Sequence, residues 1–375
     1  MLPYLICFSL SCFLLWFGQN IKLGKSEWFR WVIYGIALLI PVTLAGVRDW
    51  TVGRDVLGYA YPVFREACTV PHIGAFSGLY DTWMGTSFLL LSMAVCKVSD
   101  DFNVFLFSLM LIQIIFVFLA VYQWRDKFPI WIGMFIFYFY FFNTSLNTMR
   151  QCLALSIVFF GIKYIFRRKF LFFAFWVFLG YLFHASVLIL LVYYPLFWYA
   201  NKYASTKMTL LLSVIFLLLV VFSQQILVQI LLFASSLFDI SYYADKGIFY
   251  LTATEEERTG YKNFIYYSFF MILFLYKRKY ILSHFPDAGR FMEITLAITL
   301  IAQALLFFVG SLVQRFIMIP NWWLCILLPV IIYSYKKTIS KVMVLFYCIL
   351  FWFYYAFINV SNDQLYSSSI MSSIF

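Results

Sequence analysis

The chain has 375 residues, 65% of them hydrophobic and 11% charged, with a formal net charge of +11. An ordinary soluble domain carries about a quarter charged residues, so this composition excludes one. The basic residues lie in short segments between apolar runs, which argues against a nucleic-acid partner and for a chain oriented in lipid.

Uncharged apolar stretches recur from end to end, each near the length that crosses a ~30 Å hydrocarbon core as a helix. Backbone amides in lipid must pair internally, which leaves helices or a closed barrel. The runs are continuous and do not alternate, so the fold class is all-α and polytopic, a single transmembrane domain over residues 1–375. The first run, "MLPYLICFSLSCFLLWFG", has neither a basic leader nor a small-residue cleavage site and reads as a retained helix. By the positive-inside rule, the clusters Lys22/Lys25/Arg30, Arg125/Lys127, Lys163/Arg167/Arg168/Lys169, Lys202/Lys207, Lys277/Arg278/Lys279/Arg290 and Lys336/Lys337/Lys341 are cytoplasmic. They hold 18 of the 27 basic residues. Residues 82–98 break the scheme, because a full crossing there would turn the Arg167–Lys169 cluster outward. That segment is read as re-entrant or surface-lying. About twelve crossings remain, centred near residues 10, 39, 113, 136, 158, 177, 193, 220, 270, 300, 325 and 350. Both termini then face outward, with long outer loops at 48–82 and 234–262.

Seven cysteines are scattered with no CxxC pair and read as small buried hydrophobes. No internal repeat, nucleotide-binding loop, Rossmann fingerprint or metal motif is present, so the sequence points to no cofactor and no metal. Energy for any chemistry must therefore come from an activated substrate already in the membrane.

Costly polar residues collect on the outer side of this topology. "RDWTVGRDVLGY" supplies Arg48, Asp49, Arg54, Asp55 and Tyr59. "NTMRQCLALS" opens a crossing with Asn147, Arg150 and Gln151. "YLFHASVLI" holds His184 and Ser186 at a turn, and "GSLVQRFIM" holds Arg315. An ionisable group within a membrane segment costs roughly 2.5–3.5 kcal/mol on insertion scales and usually faces a cavity and a partner. Each has a bland reading too: Arg150 snorkelling to headgroups, Arg48 and Asp49 as a solvated pair, His184 as a satisfied histidine at a helix end, Arg315 as an interface anchor. Their convergence favours an outward, arginine-lined cavity for an anionic group such as phosphate, which guanidinium binds through two parallel hydrogen bonds. Tyr59, Tyr61 and Trp83 can stack on sugar faces or simply pack.

At these residues the sequence resembles the EpsG family of bacterial polysaccharide polymerases, related in role to the Wzy-type O-antigen polymerases. The matching positions are Arg48 with Gly53, Asp55 and Tyr59; Asn147, Arg150, Gln151 and Ala154; then His184 and Ser186 about thirty residues on. Arg315 matches a late arginine but lacks the tyrosine that usually follows, and Arg54 stands where a small polar residue is more usual. The resemblance spans roughly residues 30 to 330. It implies a polymerase in the bacterial inner membrane, with its active site facing the periplasm or cell exterior, that joins undecaprenyl-diphosphate-linked oligosaccharide repeat units. Implied partners are that lipid-linked substrate, membrane lipid, a chain-length regulator and a flippase.

In such chemistry the leaving diphosphate stays at the membrane surface, where a cation such as Arg150 can stabilise its growing charge. His184 is a candidate base for the acceptor hydroxyl, with Asp55 as its rival. Arg48, Arg54, Tyr59, Asn147, Gln151, Ser186 and Arg315 are the candidate substrate-binding residues. Two other classes compete. A lipid-linked oligosaccharide flippase should bury its charges at mid-membrane and show related halves. A membrane O-acetyltransferase needs access to a cytoplasmic acyl donor.

Overall fold

The structure, a computed structural model, describes residues 2–21, 27–53, 55–76, 85–203, 260–305, 321–354 and 366–372. Every regular element among them is helical. The chain divides into two compact units, one of residues 1–191 with 324–375 and one of residues 192–323.

In the first unit α1 (Leu2–Asn20) packs along α2 (Glu27–Gly46). Lipid offers no water to buried polar groups, and Ser11 shows how they are satisfied instead. Its hydroxyl donates to the Ala37 carbonyl at 2.7 Å and pairs with the Tyr138 hydroxyl at 2.9 Å. Beyond α2 the chain turns and enters a π-helical turn, Val56–Ala60, that runs into α3 (Tyr61–Ala67). Then come α4 (Thr86–Cys96), α5 (Phe102–Tyr122), α6 (Ile130–Tyr140), α7 (Phe142–Asn147), α8 (Met149–Gly161), α9 (Lys163–Phe166) and α10 (Phe170–Tyr181), followed by a 3-10 run at Ala185–Val192. The Asp101 side chain starts α5 by accepting from the Asn103 amide at 2.9 Å, filling one of the donors that a helix start leaves open. At 21 residues α5 is ~31 Å long, enough to cross a bilayer. Exposed Leu2, Ile6, Phe13 and Phe17 on α1, and Leu171, Phe175 and Phe178 on α10, give these helices an apolar outer face suited to lipid.

The second unit contains α11 (Tyr193–Tyr203) and a hairpin of α12 (Gly260–His284) and α13 (Pro286–Leu305). The hairpin is fastened by Arg278, whose Nε donates to both Glu293 carboxylate oxygens at 3.1 and 3.2 Å. The Phe291 ring packs edge-on against Tyr193 and Trp323. The chain then rejoins the first unit as α14 (Leu324–Tyr333) and α15 (Thr338–Phe353), which both pack on α6. Trp352 on α15 donates its indole N–H to the Asn143 side chain at 3.1 Å.

A described helix lies over every expected crossing except the one near residue 220, which falls outside the described residues. Among the described residues, four segments are each long and apolar enough to cross a membrane: Leu2–Asn20, Glu27–Gly46, Phe102–Tyr122 and Met149–Phe166. Within the troublesome segment at 82–98, the described residues 85–98 hold the 11-residue α4, ~16 Å long, shorter than the hydrocarbon core.

Two expectations need correction. The stretch 48–82 is more than a loop, because Val56, Ala60, Val63, Phe64 and Ala67 recur at helical spacing and are buried together with Phe88, Phe102 and Phe105. Nor are all the cysteines isolated hydrophobes. Cys68, just after α3, and Cys96, at the end of α4, form a disulfide across a Cα–Cα distance of 5.4 Å. Cys12, Cys152, Cys325 and Cys348 are free and buried, as small hydrophobes.

Candidate functional site

The first unit has two chemically different ends. At one, Arg30 donates to the Gly18 carbonyl at 3.1 Å and Gln19 accepts from the Ile130 amide at 2.8 Å. Gln123 donates there to the Phe160 carbonyl at 3.3 Å. Arg125, Lys127 and the Arg167–Lys169 cluster belong to the same helix ends. At the opposite end the end of α2 meets the starts of α5 and α8, and the residues after α10 join them.

The organising element at that end is residues 146–151. Thr148, with φ −82° and ψ 55°, interrupts the helix between α7 and α8. The break points the backbone and side chains of "LNTMRQ" toward three other segments. The first is the turn after α2. Arg48 is 1% exposed, and its Nη2 donates to the Leu146 carbonyl at 3.1 Å and approaches the Met149 sulfur at 3.5 Å. Nη1 reaches the Ala45 carbonyl at 3.3 Å, while the buried Nε has no hydrogen-bond partner among the described residues. Burial pushes the Arg48 guanidinium down to about 10, still charged at neutral pH. Gly53 makes this approach possible. Its φ is +102°, and an added Cβ would lie 2.6 Å from the Leu146 carbonyl oxygen.

Asp49 does not pair with Arg48. Its carboxylate accepts from the Ser369 amide at 2.7 Å and the Ser369 hydroxyl at 2.8 Å, and these bonds, the amide's first, hold it below the usual carboxylate range. Its own amide donates to the Ser367 carbonyl at 2.9 Å. Ser368 bonds to the Val47 carbonyl and Tyr366 to that of Leu44. Residues 366–369 thus strap the turn from one side. From the other, Asn103 donates to the Gly46 carbonyl at 2.6 Å and accepts from the Trp50 indole at 3.0 Å.

The second segment is the π-helical turn. The Asp55 amide donates to the Asn147 side-chain oxygen at 3.2 Å. Tyr59 lies beneath Arg150, with the guanidinium carbon 4.8 Å from its ring centre and a hydrogen bond between the two residues. Phe88 of α4 supplies a second ring at 5.9 Å. A desolvated cation over an aromatic face gains roughly 2 kcal/mol, part of the cost of burying Arg150 to 7% exposure. Burial also raises the Tyr59 hydroxyl far above its ordinary value, so it stays protonated.

The third segment follows α10. The Gln151 side chain donates to the Ser186 hydroxyl at 3.3 Å, and that hydroxyl lies 2.8 Å from His184 Nδ1. The Ser186 amide also donates to Nδ1, at 3.3 Å. α4 holds this turn in place through the Ser87 amide, which donates to the Leu182 carbonyl at 3.1 Å.

The structure therefore brings together Arg48, Asp55, Tyr59, Asn147, Arg150, Gln151, His184 and Ser186. Arg54, Trp83 and Arg315 lie outside the described residues. Sequence reasoning missed Phe88, Met149, Asn103 and the 366–369 strap. Sequence reasoning also missed the disulfide, whose two cysteines both fall on the outer side of the charge-based topology.

The apolar helices, with Arg48, Arg150 and the Gln151–Ser186–His184 chain all tied to the segment around one helix break, define a helical membrane protein with a candidate anion-binding site. The chain belongs to the EpsG family, whose model matches residues 31–371. That family includes polysaccharide polymerase-like proteins, which places this chain in membrane polysaccharide biosynthesis. No curated protein and no solved structure matches it.

Proposed function

We propose that the protein is a polysaccharide polymerase of the bacterial inner membrane. It joins undecaprenyl-diphosphate-linked oligosaccharide repeat units at the periplasmic or exterior face. The observation that carries this reading is the gathering of Arg48, Arg150 and His184 around one helix break, at the helix ends opposite the main basic clusters. The Cys68–Cys96 disulfide supports the same orientation, because disulfides persist in oxidising compartments and are rare in the cytosol.

In the reaction the bond from the anomeric carbon to the diphosphate oxygen breaks and a bond to the acceptor hydroxyl oxygen forms. The diphosphate leaves with the electron pair. Arg150 and Arg48, both buried, supply positive charge for it where water is scarce and each charge–charge contact is stronger, and Arg315 is a third candidate cation. Arg54, Asn147, Gln151 and Ser186 orient the headgroup, and Tyr59 supports Arg150 from below. Asp55 and His184 compete for the role of accepting the acceptor's proton. A chain-length regulator and a flippase are the protein partners such an enzyme needs.

Glycan analysis of a deletion strain tests the proposal. A polymerase mutant accumulates single repeats on the lipid carrier at the outer face. Loss of outer-face material would instead mean a flippase, and normal chains lacking acetyl groups an acyltransferase.

A further inference from the structure

The bonds around His184 fix which ring nitrogen carries the proton. A backbone N–H can only donate, so Nδ1, which receives the Ser186 amide at 3.3 Å, must present its lone pair. The Ser186 hydroxyl accepts from Gln151 and lies 2.8 Å from the same nitrogen, so its own hydrogen points at Nδ1 as well. Hydrogens thus run in one direction, from Gln151 to Ser186 to Nδ1. A neutral imidazole has one N–H, and here it sits on Nε2. A general base needs an available lone pair, yet the Nδ1 pair is engaged and Nε2 bears the hydrogen.

We propose that His184 acts as a neutral hydrogen-bond donor, through Nε2–H, to the anionic diphosphate of the lipid-linked substrate, while the Asp55 carboxylate accepts the acceptor hydroxyl's proton. This rests on the polymerase reading and deepens it. As the anomeric carbon–oxygen bond to diphosphate breaks, the leaving oxygen takes the electron pair and His184 stabilises it without changing protonation state. The acceptor oxygen bonds to the anomeric carbon, and its proton passes to Asp55. Ser186 and Gln151 are positioning residues that hold the imidazole in this tautomer.

Two measurements on the full-length protein in lipid nanodiscs or bilayers test this. The first is solid-state NMR of ¹⁵N-histidine-labelled protein, with the His184 signals identified by their loss in His184→Gln. Nδ1 should appear unprotonated and Nε2 protonated at neutral pH, and the opposite tautomer would overturn the proposal whatever the enzyme's activity. The second is binding of undecaprenyl diphosphate. His184→Ala should weaken it by about ten- to a hundredfold, the worth of a hydrogen bond to a charged group. His184→Gln carries an amide N–H near the Nε2 position and should recover part of the binding and polymerisation that His184→Ala loses. Polymerisation by His184→Gln as poor as by His184→Ala would restore the histidine as base and sink the proposal. Should wild-type protein fail to polymerise lipid-linked repeats at all, the polymerase reading fails, while the NMR result still decides the tautomer.

Discussion

At the scale of single residues, the site turns on a cation that lies deep yet is cradled. Arg150 rests on Tyr59 and Phe88, and such a platform suits a flat guanidinium better than a round ammonium. Arg150→Lys keeps the charge but loses the planar fork. It should slow polymerisation roughly ten- to hundredfold, the worth of one hydrogen bond to a charged group, with unchanged protein in the membrane. Near-normal chain length in that variant, on a glycan gel at native expression, would show that the guanidinium is not needed at the diphosphate. Arg150, Gln151, His184 and Ser186 were legible because polar groups stand out against apolar runs. Phe88 was not, since one phenylalanine among 47 carries no local mark of what it packs against. Asp49 misled for a related reason. Its neighbour in sequence is Arg48, but its hydrogen-bond partner is Ser369, which local pattern does not reveal.

At the scale of elements, the break at Thr148 and the strap at 366–369 decide where Arg48 lies. The first sets the Leu146 carbonyl in reach of the guanidinium, and the second holds the turn that carries it. Asp49→Ala removes the acceptor of two strap bonds. Hydrogen exchange should then quicken at residues 366–369 and 47–50 while α5 stays protected. Unchanged exchange in the strap would show that the other bonds suffice. The same contact has a pH signature. Ser369 lowers the Asp49 carboxylate below its ordinary value of 3.8, so the carboxylate's contribution is full above that value and fades as pH falls through the depressed one. Wild-type strap protection should therefore persist through neutral and mildly acidic pH. Helix positions were readable from apolar runs, whereas the helix inside 48–82 was hidden by Pro62 and by flanking charges that signal a loop.

At the scale of the whole molecule, charge asymmetry and the disulfide are independent indicators of orientation. They agree, one from loops rich in Lys and Arg and one from redox chemistry. Asp100 and Lys127 are exposed beyond opposite ends of α5 and make a direct test. In a background that keeps Cys68 and Cys96 but lacks the other cysteines, Asp100→Cys should react with an impermeant thiol reagent in intact cells. Lys127→Cys should react only after lysis. The reverse pattern would invert the topology and place the site in the cytoplasm. The all-helical membrane character was open to sequence reasoning because lipid imposes one rule on every segment. The disulfide was not, because spacing along the chain says nothing of which cysteines meet in space.

The disulfide also has a consequence for the order of biogenesis. It closes over a sequence separation of 28, and both sulfurs, Tyr59 and Phe88 are synthesised before Arg150. The aromatic floor can therefore be locked while the arginine it will carry is still untranslated, so the buried charge arrives at a finished seat. A ribosome-arrested chain that has exposed residue 96 but ends short of Arg150 should already show the oxidised pair on a non-reducing gel. If the bond appears only after α8 is complete, the arginine helps to assemble the floor instead of docking onto it.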